Sequence, residues 1–239
     1  MNVISRRDLI KTSAIAAAGA LVFPRVIMGA SGASANGKVN MAFVGAGGRG
    51  KNNIQALADE NVVALCDVDE QRSAEMRQEF PNAKVFKDYR VMLDKMGSQI
   101  DAVVISTPDH MHYPIAMWAI ANGKHVYCEK PLTRCIWEAR DLRRAASEAG
   151  VITQMGNQGH TYAGLRLIQE WYQAGVLGKV RDVYHWTNRP FWPQGYIDRR
   201  SEPVPSYIDY DLWLGVAPKK SFSSMVVPFN WRGWRDYGC

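Results

Sequence analysis

From residue 38 onward the chain alternates apolar runs with polar, helix-compatible stretches. Short apolar runs at 39–44, 61–66, 84–86, 101–106, 124–128 and 151–155 have the length and continuity of strands buried on both faces. Between them, stretches near 49–58, 69–79, 88–96, 113–121 and 133–149 read as helices. Gly123 and Gly150 stand where two of those helices should close, and Thr133 where a hydroxyl would cap the start of the last. Repeated strand–helix units predict a doubly wound parallel sheet, an α/β architecture whose ligand sits beyond the strand C-termini.

The pattern changes after residue 156. A helix near 161–174 is predicted to end before Gly175, and strong β-formers at 179–187 read as a strand. A Pro- and aromatic-rich stretch without clear period follows. Six of the eight tryptophans lie beyond residue 156: Trp171, Trp186, Trp192, Trp213, Trp231 and Trp234. Residues 188–239 read as long loops of a second domain, 157–239, whose supporting surface is not fully present. The aromatic ending, Trp231 to Cys239, has neither a closing helix nor a polar tail, so the chain reads as a fragment or truncated product.

The first strand run ends in Gly45-Ala46-Gly47-Gly48-Arg49-Gly50, and a helix pattern follows. Gly45 permits the tight turn, Gly47 a close backbone approach to a pyrophosphate, and Gly50 close packing of helix on sheet. The amides and dipole at that helix start favour phosphate. The second run ends in Asp67, at the spacing of a carboxylate that accepts from the adenosine ribose hydroxyls. Strand, turn, helix and acid together predict a dinucleotide-binding Rossmann domain in 36–156. A carboxylate repels a 2′-phosphate, and Val68-Asp69-Glu70 offers no basic residue to hold one, so NAD is favoured over NADP.

Charge and termini narrow the classes. The formal net charge is +6, half of it carried by Arg6, Arg7, Lys11 and Arg25 against Asp8. No basic run exceeds two residues after residue 35, which excludes an obvious nucleic-acid surface. Residues 1–35 read as a twin-arginine signal peptide: Arg6-Arg7, an apolar stretch from Ala14 to Val22 too short for a comfortable membrane span, and Ala33-Ser34-Ala35 as cleavage pattern. The expected location is periplasmic or otherwise exported, without stable membrane insertion after cleavage. A dinucleotide enzyme using that route can fold around its cofactor before crossing. Cys66, Cys128, Cys135 and Cys239 show no metal-ligand spacing, so no metal is expected, and Cys66 and Cys128 read as small core residues.

Two further strand ends carry chemistry: Ser106-Thr107-Pro108-Asp109-His110-Met111-His112 and Cys128-Glu129-Lys130-Pro131. Both fall at the sheet edge where a nicotinamide would lie. A lysine fixed there and partly desolvated would have its ammonium pKa lowered toward that of a general base, whereas an exposed lysine paired with Glu129 would not.

With GAGGRG, CDVD, STPDHMH, CEKPL and GNQGH in place, the chain resembles the Gfo/Idh/MocA oxidoreductase family from about residue 38 to its end. The segments WTNRPFWPQG, DYDLWLG and FNWRGWRDYG are similar to an exported, glucose–fructose-oxidoreductase-like subgroup. The resemblance implies a Rossmann domain followed by an α/β substrate domain with an open, mostly antiparallel sheet that usually mediates homo-oligomerisation. It implies a carbohydrate substrate, a sugar, inositol or glycoside reacting at a secondary alcohol. Carried over by position, Lys130 is the catalytic lysine. Thr107, Pro108 and His112 line the nicotinamide, Glu129 precedes the lysine, and Asn157 and Gln158 lie near the nicotinamide ribose and substrate. Gly45, Gly47, Gly48, Arg49, Gly50 and Asp67 complete the cofactor set. The chain departs from the family in one respect: no Asp and His spaced by one helical turn follow residue 160.

His160, just past a strand end, either reaches the substrate as a second catalytic group or faces solvent at the next helix start. His185 reads as structural. Arg189 and Trp192 offer a sugar clamp, the indole on a pyranose face and the guanidinium on hydroxyls; Trp213, Trp231 and Trp234 read as core. The leading expectation is an exported NAD-dependent oxidoreductase with Lys130 as acid/base. The alternatives are a glycoside hydrolase using transient oxidation and elimination, and a non-catalytic dinucleotide-binding sensor or assembly module.

Overall fold

The computed structural model describes residues 37–187 and 199–238. Residues 1–36, read above as carrying a signal peptide, and Arg189, Trp192 and Cys239 lie outside them. Six strands, β1 (Asn40–Val44), β2 (Asn61–Cys66), β3 (Lys84–Phe86), β4 (Ala102–Ile105), β5 (His125–Glu129) and β6 (Thr153–Gly156), form one parallel sheet in the order β3-β2-β1-β4-β5-β6. The strand order reverses between β1 and β4, which opens a crevice beyond their C-termini. The connecting helices are α1 (Arg49–Ala56), α2 (Glu70–Glu79), α3 (Tyr89–Met96), α4 (His112–Ala121) and α5 (Ile136–Ala149).

The apolar runs of the inner strands β1 and β4 are covered on both faces, whereas the edge strands β3 and β6 are largely exposed. Successive residues point to opposite faces. Ala42 and Val44 therefore join Met92, Ile115 and Leu142 in one cluster, while Phe43 joins Ile54, Leu65 and Met76 in another. Phe43, fully buried, contributes about 1.5–3 kcal/mol by its removal from water. Capping follows the polar pattern. Asp69 accepts from the Gln71 and Arg72 amides at the head of α2, and Asp88 from the Arg90 amide at the head of α3. Thr133 does not cap α5. Its hydroxyl donates to the Cys135 carbonyl, and the helix begins three residues later than the sequence predicts.

Beyond β6, α6 (Ala163–Gln173) forms as the sequence predicts, behind a 3-10 turn at Gln158–Thr161. The strand expected at 179–187 does not form. A strand needs a partner for its N–H and C=O row, and here Val183, Tyr184 and Trp186 are more than four-fifths exposed. His185 is exposed with them rather than built into a sheet. The open antiparallel sheet implied for the second domain is likewise not formed among the described residues.

The aromatic tail departs further from expectation, because it has a supporting surface. Residues 199–238, including α7 (Tyr210–Leu214), build a third cluster from Ile208, Tyr210, Trp213, Phe222, Trp231 and Tyr237. That cluster rests on the C-terminal edge of the sheet. The Asp209 amide donates to Val68, the Glu70 amide to Tyr207 and the His110 amide to Tyr237. Trp213 and Trp231 are buried in it and Trp234 packs at its margin.

Candidate functional site

The crevice is a cleft of about 790 Å³ between the strand ends and the 199–238 segment. Its floor is the glycine turn. Gly45 has φ +86°, and a Cβ there would stand 2.7 Å from the Ser106 carbonyl oxygen. A Cβ on Gly50 would lie 1.8 Å from the Gly45 carbonyl oxygen, so α1 can start only with a glycine at that point. Gly45, Gly47, Gly48 and Arg49 line the cleft, whereas Gly50 is buried behind them and acts through packing.

At the β2 end, Asp67 Oδ2 accepts from the Ala46 amide at 2.7 Å and the Gly47 amide at 3.3 Å, and Oδ1 from the Asp69 amide at 2.9 Å. Burial pushes its carboxyl above the ordinary range, against the pull of those amides. Two of the basic residues on this side of the cleft, Lys87 and Arg90, are held by acids, whereas Arg72 lies over the glycine turn. Lys87 pairs with Glu70 at 2.7 Å, and Arg90 grips Asp88 with two nitrogens. Those contacts hold the Glu70 and Asp88 carboxyls below their usual range.

At the β4 and β5 ends, Thr107, Pro108, His112, Glu129 and Lys130 line the same cleft. Thr107 Oγ1 is buried without a hydrogen-bond partner among the described residues, and a ribose hydroxyl or carboxamide would satisfy it. This orphan and the side-chain-free glycine turn fit a bound dinucleotide.

His112 is fully buried, with Nδ1 2.7 Å from the Pro131 carbonyl oxygen and Nε2 3.0 Å from that of Thr107. It braces the two strand ends rather than offering a free nitrogen. Glu129 turns away from Lys130: its Oε1 accepts from Asn53 at 2.9 Å and from Gln158. Asn53 also donates to Ser106 Oγ at 3.0 Å, and Gln158 to the Tyr127 hydroxyl at 3.0 Å. Gln158 is therefore a support behind the carboxylate, not a cleft residue. Lys130 is exposed on the cleft wall, so the partial desolvation expected of it is not supplied by the described residues.

Asn157 and His160 are exposed and do not line the cleft; His160 faces solvent in the 3-10 turn. Asn53 was missed by sequence reasoning. A signal existed: it lies one helical turn beyond Gly50, on the sheet-facing side of α1. His110 also went without a role. Only 1% exposed, it sets Nε2 2.9 Å from the Trp213 carbonyl oxygen and packs, tilted, against the Trp213 and Tyr237 rings. Burial pushes its pKa down to about 4.

This geometry defines a dinucleotide-binding α/β fold, and sequence comparison places it. A model of the Gfo/Idh/MocA oxidoreductase family, NAD-binding Rossmann fold, matches residues 39–157, and one of its C-terminal α/β domain matches residues 170–239. The chain belongs to that family. It is 37% identical over 81 residues to scyllo-inositol 2-dehydrogenase (NADP(+)) IolW of Bacillus subtilis, covering 34% of this chain and 22% of that protein. It is 30% identical over 93 residues to the 2,7-anhydro-N-acetylneuraminate hydratase of Escherichia coli, covering 39% and 24%. Among solved structures, the WlbA dehydrogenase from Bordetella pertussis in complex with NADH and UDP-GlcNAcA superposes with a TM-score of 0.53. It is 28% identical, over 58% of this chain and 43% of that one. The chain thus spans about a quarter of the curated relatives' length and less than half of the solved chain's.

Proposed function

We propose that this chain is the cofactor-binding and catalytic part of an NAD-dependent oxidoreductase acting on a secondary alcohol of a sugar- or inositol-like substrate. One observation carries the reading: the end of β5 sets Lys130 on the wall of the cleft that also holds the glycine turn and the unpartnered Thr107 hydroxyl.

When bound, the nicotinamide supplies the hydride acceptor or donor. Gly45 to Gly48 hold the phosphates, Asp67 the adenosine ribose, and Thr107 the nicotinamide end. Lys130 Nζ takes the substrate hydroxyl proton in oxidation and returns it in reduction. Because Lys130 is exposed in the open cleft, bound substrate and cofactor would cover it. Asn53 and Gln158 keep Glu129 turned inward, which fixes the strand end carrying Lys130. The paired state of Lys87 and Arg90, with the Asp67 carboxylate, favours NAD over a 2′-phosphorylated cofactor.

The test uses the full-length protein, a panel of inositols and sugars, and Lys130→Ala. The variant should bind NADH with wild-type affinity while turnover falls by about a hundredfold or more. Wild-type turnover in the variant would refute the assignment.

A relative named for hydration favours keeping a second reading, glycoside cleavage by transient oxidation, elimination, water addition and reduction. It predicts a cleaved product with no net NADH, which product mass reads directly. Export through the twin-arginine route belongs to the proposal on the strength of Arg6-Arg7. Periplasmic fractionation tests it, and loss of export in Arg6→Lys/Arg7→Lys is the expected result. Self-association of the full-length protein is part of the same reading, and sedimentation gives the answer.

A further inference from the structure

The 199–238 segment contributes more than a cover. Within it, Asn230–Gly233 forms a 3-10 turn that brings Arg232 to the cleft wall. Arg232 is half-buried there and held on three sides. Its Nη1 donates to the Phe229 carbonyl at 2.9 Å, and its guanidinium lies 4.2 Å from the Trp231 ring centroid and 4.4 Å from that of Phe229. A planar cation stacked between aromatic faces is pre-oriented, so little rotamer freedom is lost when its remaining donors find an anion.

Across the cleft, Arg72 on the first turn of α2 lies directly over the glycine turn. A Cβ on Gly48 would be 2.9 Å from Arg72 Nη2, and one on Gly47 2.9 Å from Arg72 Cβ. The charges that Arg232 feels are Asp109, which favours its cationic form, and Arg72, which opposes it. Two guanidinium groups within Coulombic range of each other, one desolvated by its surroundings, make an unfavourable pair unless an anion joins them. Both line the cleft whose floor is the glycine turn.

We propose that Arg232 and Arg72 form a two-sided clamp on the dinucleotide pyrophosphate, so that the 199–238 segment is a working wall of the cofactor site. The inference rests on the NAD reading above. A pyrophosphate carries two negative charges and presents oxygens on both sides, matching one fork from α2 and one from the Asn230–Gly233 turn. Its recognition would thus join two segments separated by some 160 positions in the sequence.

The full-length protein, with Arg232→Gln, Arg232→Lys and Arg72→Gln, is titrated with NADH, ADP-ribose and adenosine. Arg232→Gln should weaken NADH and ADP-ribose alike, by about ten- to a hundredfold, and leave adenosine unchanged. Arg232→Lys should recover part of the loss, since it keeps the charge but not the fork. Arg72 is exposed, so Arg72→Gln keeps the fold and gives the same pattern even where Arg232→Gln does not fold. Wild-type affinity for ADP-ribose in Arg72→Gln or a folded Arg232→Gln overturns the clamp, as does an equal loss for adenosine. Absence of NADH binding by the wild-type protein overturns the NAD reading itself, and the clamp with it.

Discussion

His110 gives a stability prediction with a definite sign. The perturbation is acidification, compared between the wild-type chain and His110→Gln, in which the amide still donates to Trp213 but does not titrate. In the folded protein the imidazole is neutral, because burial lowers its pKa from 6.5 to about 4. The unfolded chain binds a proton at about 6.5 that the folded chain refuses. The favourable term is therefore fully present above pH 6.5 and fades as pH falls toward 4. Each pH unit costs about 1.4 kcal/mol for one proton, so the window is worth at most about 3 kcal/mol. Urea unfolding followed by tryptophan fluorescence is the assay. The Trp213 ring lies 5.4 Å from the imidazole, so the signal reports the contact between the tail and the sheet edge. Between pH 6.5 and 4 the wild-type unfolding free energy should fall by up to about 3 kcal/mol more than that of His110→Gln. Parallel curves for the two proteins across that window would refute the reasoning.

Three further outcomes follow from the site. Gly50→Ala forces a Cβ to 1.8 Å from the Gly45 carbonyl oxygen, so the turn must open. The expected cost is about 1–3 kcal/mol in denaturant unfolding, with loss of NADH binding by fluorescence titration; normal binding would contradict the steric argument. Asn53→Ala leaves Glu129 and Ser106 short of a donor in a buried place. It should destabilise by about 1–3 kcal/mol and lower kcat while NADH affinity stays close to wild type; unchanged stability would remove the bracing role. Asp67→Ser removes the charge that repels a 2′-phosphate, so the ratio of NADPH to NADH affinity should rise in parallel titrations. A constant ratio would show that discrimination lies elsewhere.

The Rossmann half was legible because its signals are local. Continuous apolar runs, a glycine turn and Asp67 each state a backbone or charge requirement within a few residues. The helix boundaries differ little from expectation except at α5, where Thr133 spends its hydroxyl on Cys135. The strand at 179–187 shows the limit of local reasoning, since β-propensity has no effect without a neighbour to pair with. Lys130 could be placed at a strand end from the sequence, but its exposure could not, because desolvation depends on what packs against it.

What the sequence alone determined is the parallel sheet, the dinucleotide turn, the acid at the β2 end and the lysine at the β5 end. All of these follow from periodicity and from residue types with narrow conformational or chemical uses. The tertiary structure decided that the aromatic tail folds back onto the sheet edge, that His110 is a buried neutral anchor and His112 a brace, and that Asn53 holds Glu129. It also decided that Arg232 and Arg72 line one cleft with the glycine turn. Each of these is a meeting between residues far apart in the chain. Such meetings are set by the summed burial of many side chains and the satisfaction of backbone groups at a shared edge, and no short stretch of sequence carries that information.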